Sequence, residues 1–125
     1  MAETRQRKFA SDIEKVVAEF LNKQVAPLFK SVIISVVGIQ ISKDLKDSNI
    51  YVSIYDLSGK NNNEKIFYTI RDKASQIRNE VAKKCNFKYT PRLNFVYDDG
   101  YAYEEKISKT IEELKKKEVS KKSGI

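Results

Sequence analysis

Side chains able to do covalent or metal chemistry are scarce in this sequence. It has no histidine and a single cysteine, Cys85. The usual general base and the commonest metal ligand are therefore missing, and neither an intramolecular disulfide nor an all-cysteine zinc site can form. Two acid pairs remain, Asp98-Asp99 and Glu104-Glu105. A Mg²⁺ site would need their carboxylates to converge, but neighbours at a strand end point apart, and Asp98-Asp99-Gly100 has the composition of a turn. Carboxylates, lysines and one thiol predict a binding protein rather than an enzyme, with no cofactor and no metal.

The chemistry that is abundant is positive charge. Lys and Arg number 24 against 17 Asp and Glu, a formal charge of +7, and the excess is unevenly placed. Arg5, Arg7 and Lys8 face only Glu3 at the start, and five lysines face only Glu118 over residues 115–125. Within the near-neutral body, residues 60–92 hold nine basic side chains against Glu64, Asp72 and Glu80. One lysine on an amphipathic helix is most simply a solvated face; segregation of this kind raises the potential on one side, as a polyanion-binding surface requires. The candidate residues for contacting a polyanion such as RNA are Arg5, Arg7, Lys8, Arg71, Lys73, Arg78, Lys84 and Lys88.

The elements that must position them follow from periodicity. With 41% apolar and 33% charged residues in 125, the chain predicts one folded domain. Its longest apolar run, residues 32–39, falls far short of the roughly 20 residues that span a bilayer, and no signal-peptide pattern opens it, so a cytoplasmic protein free of membrane is expected. Phe9, Ile13, Val16, Val17, Phe20 and Leu21 form the stripe of a first helix, with Pro27 marking its end. Residues 31–42 and 50–55 read as two strands of an antiparallel hairpin, whose turn is tied by the Asp44 side chain. Alternation sends Ile50, Val52 and Ile54 inward and Tyr51, Ser53 and Tyr55 outward. Ser58–Asn63 is a loop with a cap for the next helix. Ile66, Ile70, Ala74, Ile77, Val81 and Cys85 then step by 4, 4, 3, 4 and 4, one long helix or two joined at a bend, with Cys85 a small core residue. On that stripe Arg71 and Arg78 share one flank, Lys73 and Lys84 the other. Pro91 opens a third strand over residues 93–97, and Ile107, Ile111 and Leu114 suggest a last helix. The expected organisation is a basic N-terminal arm over 1–8, an α+β domain with a C-terminal helix over 9–114, and a basic disordered tail over 115–125, acting as a monomer.

Three segments carry a resemblance. Val36-Val37-Gly38-Ile39-Gln40-Ile41-Ser42-Lys43-Asp44-Leu45, followed by Ser48-Asn49-Ile50-Tyr51-Val52-Ser53, is similar to the first hairpin of the bacterial ribosome-binding factor A family. Pro91-Arg92-Leu93-Asn94-Phe95-Val96-Tyr97-Asp98 matches that family's Pro-x-Leu-x-Phe-x-Tyr-Asp segment. The resemblance covers residues 5 to about 112. It implies a type II KH-like fold, helix-strand-strand-helix-bend-helix-strand, with a three-stranded sheet. It also implies binding to the free small ribosomal subunit and maturation of 16S rRNA, particularly at its 5′ end, with added importance in the cold. Where the family has an Ala-x-Gly bend, this chain reads Ala74-Ser75-Gln76; the bend is expected to survive, opened by Ser75 bonding a preceding carbonyl. Composition alone leaves two alternatives, a KH-like domain for other structured RNA and a protein-interaction adaptor working through Tyr51 and Tyr55.

Overall fold

The computed structural model of the chain describes residues 2–99. Helix α1 spans Ala2–Phe20, so residues 2–8, set apart on charge as an arm, are the first turns of this helix. Its winding continues as a π turn over Leu21–Val25 and a 3₁₀ turn over Ala26–Leu28 that contains Pro27. The widening has a reason in the sequence. Ile13, Val17, Leu21 and Val25 recur every four residues, which drifts around a helix of 3.6 residues per turn. A π turn takes up the drift, and all four side chains are fully buried.

Strands β1 (Val32–Ile41) and β2 (Asp47–Asp56) form the expected antiparallel hairpin. Strand β3 (Arg92–Tyr97) joins β2 in parallel, giving a mixed sheet of order β1-β2-β3. Val36 pairs with Val52 and Gly38 with Tyr51, which leaves Val37 as a bulge. That extra residue flips the alternation of β1. Val32, Ile34 and Val36 face the helices before it, Ile39 and Ile41 after it, and Val37 is exposed. The turn is held by Asp44 as expected: its carboxylate accepts from Ser42 Oγ at 2.6 Å and from the Lys46 N–H at 3.1 Å. These bonds, the Ser42 hydroxyl first, hold its carboxyl below the ordinary range. Leu45 takes the left-handed backbone the turn needs, at φ 61°.

Helices α2 (Asn63–Asp72) and α3 (Ala74–Lys84) complete the inner layer. Asn62 caps α2, its side chain accepting from the N–H groups of Glu64 and Lys65. The core lies between this helical layer and the sheet: Ile13, Val17, Leu21, Ile34, Ile50, Val52, Ile66, Ile70, Ile77 and Val81 are all buried. Cys85 joins it at 6% exposure, and burial, with a further push from Asp12, raises its thiol pKa. The order of elements is that of the type II KH-like fold. The C-terminal helix expected up to Leu114, the tail over 115–125 and the pair Glu104-Glu105 lie outside the described residues.

One outward position departs from expectation. Tyr55 is exposed (64%), but Tyr51 on the same face is buried (3%), its hydroxyl donating to Gln40 Oε1 at 3.0 Å. Strand alternation assigns a face; it does not say what lies over that face.

Candidate nucleic-acid interface

The two halves of the long apolar stripe are separated at one residue. Lys73 has φ −94° and ψ 7°, outside the helical range. Its N–H still donates back to Ile70 O (3.1 Å) and Thr69 O (3.3 Å), while its carbonyl accepts from the Ile77 N–H at 2.9 Å. Lys73 thus closes α2 and opens α3. The bend is real, but it lies one residue before Ala74-Ser75-Gln76 and needs no glycine, because its φ is negative. The mechanism expected from Ser75 is not the one used: among the described residues its hydroxyl makes no hydrogen bond. Nor does any side chain cap α3. The first N–H groups of α3 are left at the bend, beside the half-buried Lys73 and the exposed Arg71, Asp72, Ser75 and Gln76. A helix N-terminus with cations beside it can hold phosphate oxygens.

The other candidates divide by what they touch. Arg78 is exposed, yet its Nη2 donates to Thr90 O at 2.8 Å and its Nε to Pro91 O at 3.3 Å. It fastens α3 to the segment entering β3, a role helical spacing could not reveal. Lys84 lies between Glu80 (3.7 Å) and Glu19 (3.8 Å) and is partly neutralised. Glu19 also accepts from Lys23 at 2.8 Å, the main cause of its lowered pKa. Arg5 sits 5.8 Å over the Phe9 ring, which packs at 4.2 Å against Phe87. The aromatic pair brings the first turns of α1 to the segment that follows α3, where Lys88 stands 5.6 Å from the Tyr89 ring. Arg5 and Lys88 therefore share one end of the helical layer. Lys8 is exposed on α1, and Arg7 is directed toward the hairpin. The structure thus places Arg71 in the last turn before the bend and Lys73 at the bend itself, sets Arg5 and Lys88 at the α1 end, and ties Arg78 and Lys84 largely to groups of the domain itself.

Arg92, which spacing did not single out, is taken up by Asp47 across β2 and β3 at 2.7 and 3.2 Å. Its place at a strand start opposite an acid in the neighbouring strand becomes visible only with the parallel register. Among the described residues, no helix is long and apolar enough to cross a membrane.

The profile of the ribosome-binding factor A family matches residues 5–111. The chain belongs to that family. A ribosome-binding factor A of Coxiella burnetii is 34% identical over 121 residues, which cover 96% of this chain and 98% of the relative. One of Caldanaerobacter subterraneus subsp. tengcongensis is 26% identical over 114 residues, 91% of this chain and 92% of that one. Among solved structures, the crystal structure of ribosome-binding factor A from Thermus thermophilus superposes with a TM-score of 0.59 at 16% identity, covering 74% of this chain and 94% of that one. A homology model of the Thermus thermophilus factor, fitted into the cryo-EM map of a 30S complex, gives 0.57 at 17% identity, over 70% and 88% of the two chains. At these identities the structural matches establish the KH-like fold. Membership of the ribosome-binding factor A family rests on the profile and the relatives.

Proposed function

We propose that the chain is a noncatalytic assembly factor that binds the free small (30S) ribosomal subunit and assists maturation of its 16S rRNA, including the 5′ end, in the cytoplasm. The observation that carries this reading is the bend: Lys73 and Arg71 stand with the uncapped N-terminus of α3 on a surface that stays open while the apolar stripe beneath is fully packed. Such a surface contacts phosphates through charge and N–H dipoles without exposing the core, and it reads backbone rather than sequence. Arg5, Lys8 and Lys88 extend the positive potential along the helical layer, with Arg78 and Lys84 contributing field more than direct contact. The burial of Tyr51 removes half of the tyrosine face on which an adaptor would depend.

Sedimentation tests the proposal. The chain should travel with free small subunits through a sucrose gradient and be absent from assembled ribosomes. Replacing Arg71 and Lys73 with Gln should move most of it to the top of the gradient. Undiminished co-sedimentation of that variant would remove the bend as the contact, and wild-type protein that never leaves the top would remove the function.

A further inference from the structure

The segment between α3 and β3 is pinned at both ends and open in the middle. Phe87 packs against Phe9 of α1 at 4.2 Å. Thr90 and Pro91 offer their carbonyls to Arg78 at 2.8 and 3.3 Å, and the Pro91 side chain is fully buried. Between these anchors Tyr89 is 75% exposed. Its ring meets no other aromatic ring among the described residues. A single exposed aromatic is ordinary by itself; the charge around this one is not.

Lys88 Nζ lies over the Tyr89 ring, 5.6 Å from its centroid. This cation–π contact takes up one face, and at such exposure the other face is left to solvent. Lys88 has no carboxylate within ion-pair distance among the described residues. The Arg78 guanidinium is fixed at the carbonyl of the next residue, Thr90. No Asp or Glu occurs between Glu80 and Asp98, a stretch that contains Lys83, Lys84, Lys88 and Arg92. An aromatic ring with one open face, held on a pinned loop and bordered by cations, suits an unpaired base: the base stacks on the ring, and its flanking phosphates meet the cations. An apolar protein surface would cover the ring but leave Lys88 without a counter-charge.

Resting on the RNA-binding reading above, we propose that Tyr89 is a stacking platform for an unpaired base of single-stranded RNA, with Lys88 on a flanking phosphate. The platform adds a preference that the bend lacks. Phosphate contacts at the bend accept duplex and single strand alike, whereas a stacking ring accepts only a base that has left its helix. The loop that carries Tyr89 therefore selects unpaired segments of the RNA.

The chain has no tryptophan, so Tyr89→Trp in the full chain sets a single indole at the site, where the exposure leaves room for the larger ring. A short oligouridylate should quench its fluorescence saturably, because the base stacks on the indole. An RNA duplex of equal charge, and heparin, a polyanion without bases, should bind and leave the fluorescence nearly unchanged. Tyr89→Ala should weaken oligouridylate binding by about tenfold or more while the Tm and the salt slope stay as in the wild type, and Tyr89→Phe should bind like the wild type. These two variants decide even if the indole disturbs the loop. Arg71→Gln with Lys73→Gln, added to Tyr89→Trp, should keep full quenching at saturation. Equal quenching by heparin or by the duplex would overturn the stacking, as would wild-type oligouridylate affinity in Tyr89→Ala; both leave the bend standing. Loss of small-subunit binding in Tyr89→Ala with undiminished oligouridylate binding would make Tyr89 a protein contact and overturn the proposal too. Protein that binds small subunits through neither place would overturn the function itself.

Discussion

Arg78 separates a structural role from a binding role, because charge alone would group it with Arg71 and Lys73. Its guanidinium reaches two main-chain carbonyls, Thr90 O at 2.8 Å and Pro91 O at 3.3 Å, and Pro91 is itself fully buried. In Arg78→Gln both bonds are lost, since the shorter side chain cannot span to residues twelve and thirteen positions on. The shorter bond is of good length and charge-assisted; the longer one is weak. Arg78 is exposed, so water competes for its donors and the contributions fall at the low end of the range, about 1–2 kcal/mol for the two together. For a domain of about 100 residues that is a fall in Tm of roughly 5–10 °C. Calorimetry on the wild type, Arg78→Gln and Arg71→Gln checks it: the first substitution should lower the Tm by that amount and the second hardly at all. Hydrogen exchange should locate the loosening at the start of β3. An Arg78→Gln protein that melts within about 2 °C of the wild type yet loses most of its subunit affinity would refute the reasoning and make Arg78 a phosphate contact.

The loop between β2 and α2 makes stability depend on acid. Asp56 accepts from the Ser58 hydroxyl, from the N–H groups of Ser58 and Asn61 and from the Asn61 amide. The Ser58 hydroxyl is the largest influence holding its pKa down to about 2, against 3.8 when free. A depressed carboxylate pKa adds stability that is fully present above 3.8 and lost as pH falls towards 2. Asp56→Asn should therefore flatten the acid limb of the stability curve in that window while leaving its shape near neutrality; an unchanged acid limb would exclude this loop as the cause. Cys85, buried with a raised thiol pKa, should react with a thiol reagent at neutral pH only as fast as the domain opens, and rapid native labelling would move it off the core stripe. Asn62→Ala removes the acceptor for two N–H groups at the start of α2 and should cost about 1 kcal/mol in denaturant unfolding, a loss absent if the cap is made by another group.

Much of the fold was legible because periodicity is a statement about faces. The steps from Ile66 to Cys85 predicted the buried side of α2 and α3, and Ile66, Ile70, Ile77, Val81 and Cys85 are all in the core. The same stripe could not say where it bends. A three-residue step from Ala74 to Ile77 fits a continuous helix and a broken one alike, and only the backbone of Lys73, at φ −94° and ψ 7°, shows where the break falls. Alternation in β2 was read correctly for Ile50, Val52 and Ile54, while the burial of Tyr51 depended on what covers the outer face. The apolar pattern of β1 contained its bulge, as Val37 with Ile39 and Ile41 is out of phase with Val32, Ile34 and Val36; only the pairing with β2 shows which residue is extra. Charge segregation singled out the helical layer as the candidate binding side. It could not distinguish Arg71, free to contact a ligand, from Arg78, which is bound to carbonyls of the segment entering β3, because that difference is made by tertiary contacts.

The central claim is that the bend contacts phosphates of the small subunit, and the salt dependence of binding measures this most directly. Every phosphate that a variant no longer neutralises lowers the slope of log affinity against log salt by about 0.7–0.9. Titrating wild type and the Arg71→Gln, Lys73→Gln variant against free small subunits over a salt series should give the variant weaker binding and a slope shallower by about 1.4–1.8. Equal slopes, whatever the affinities, would contradict the account.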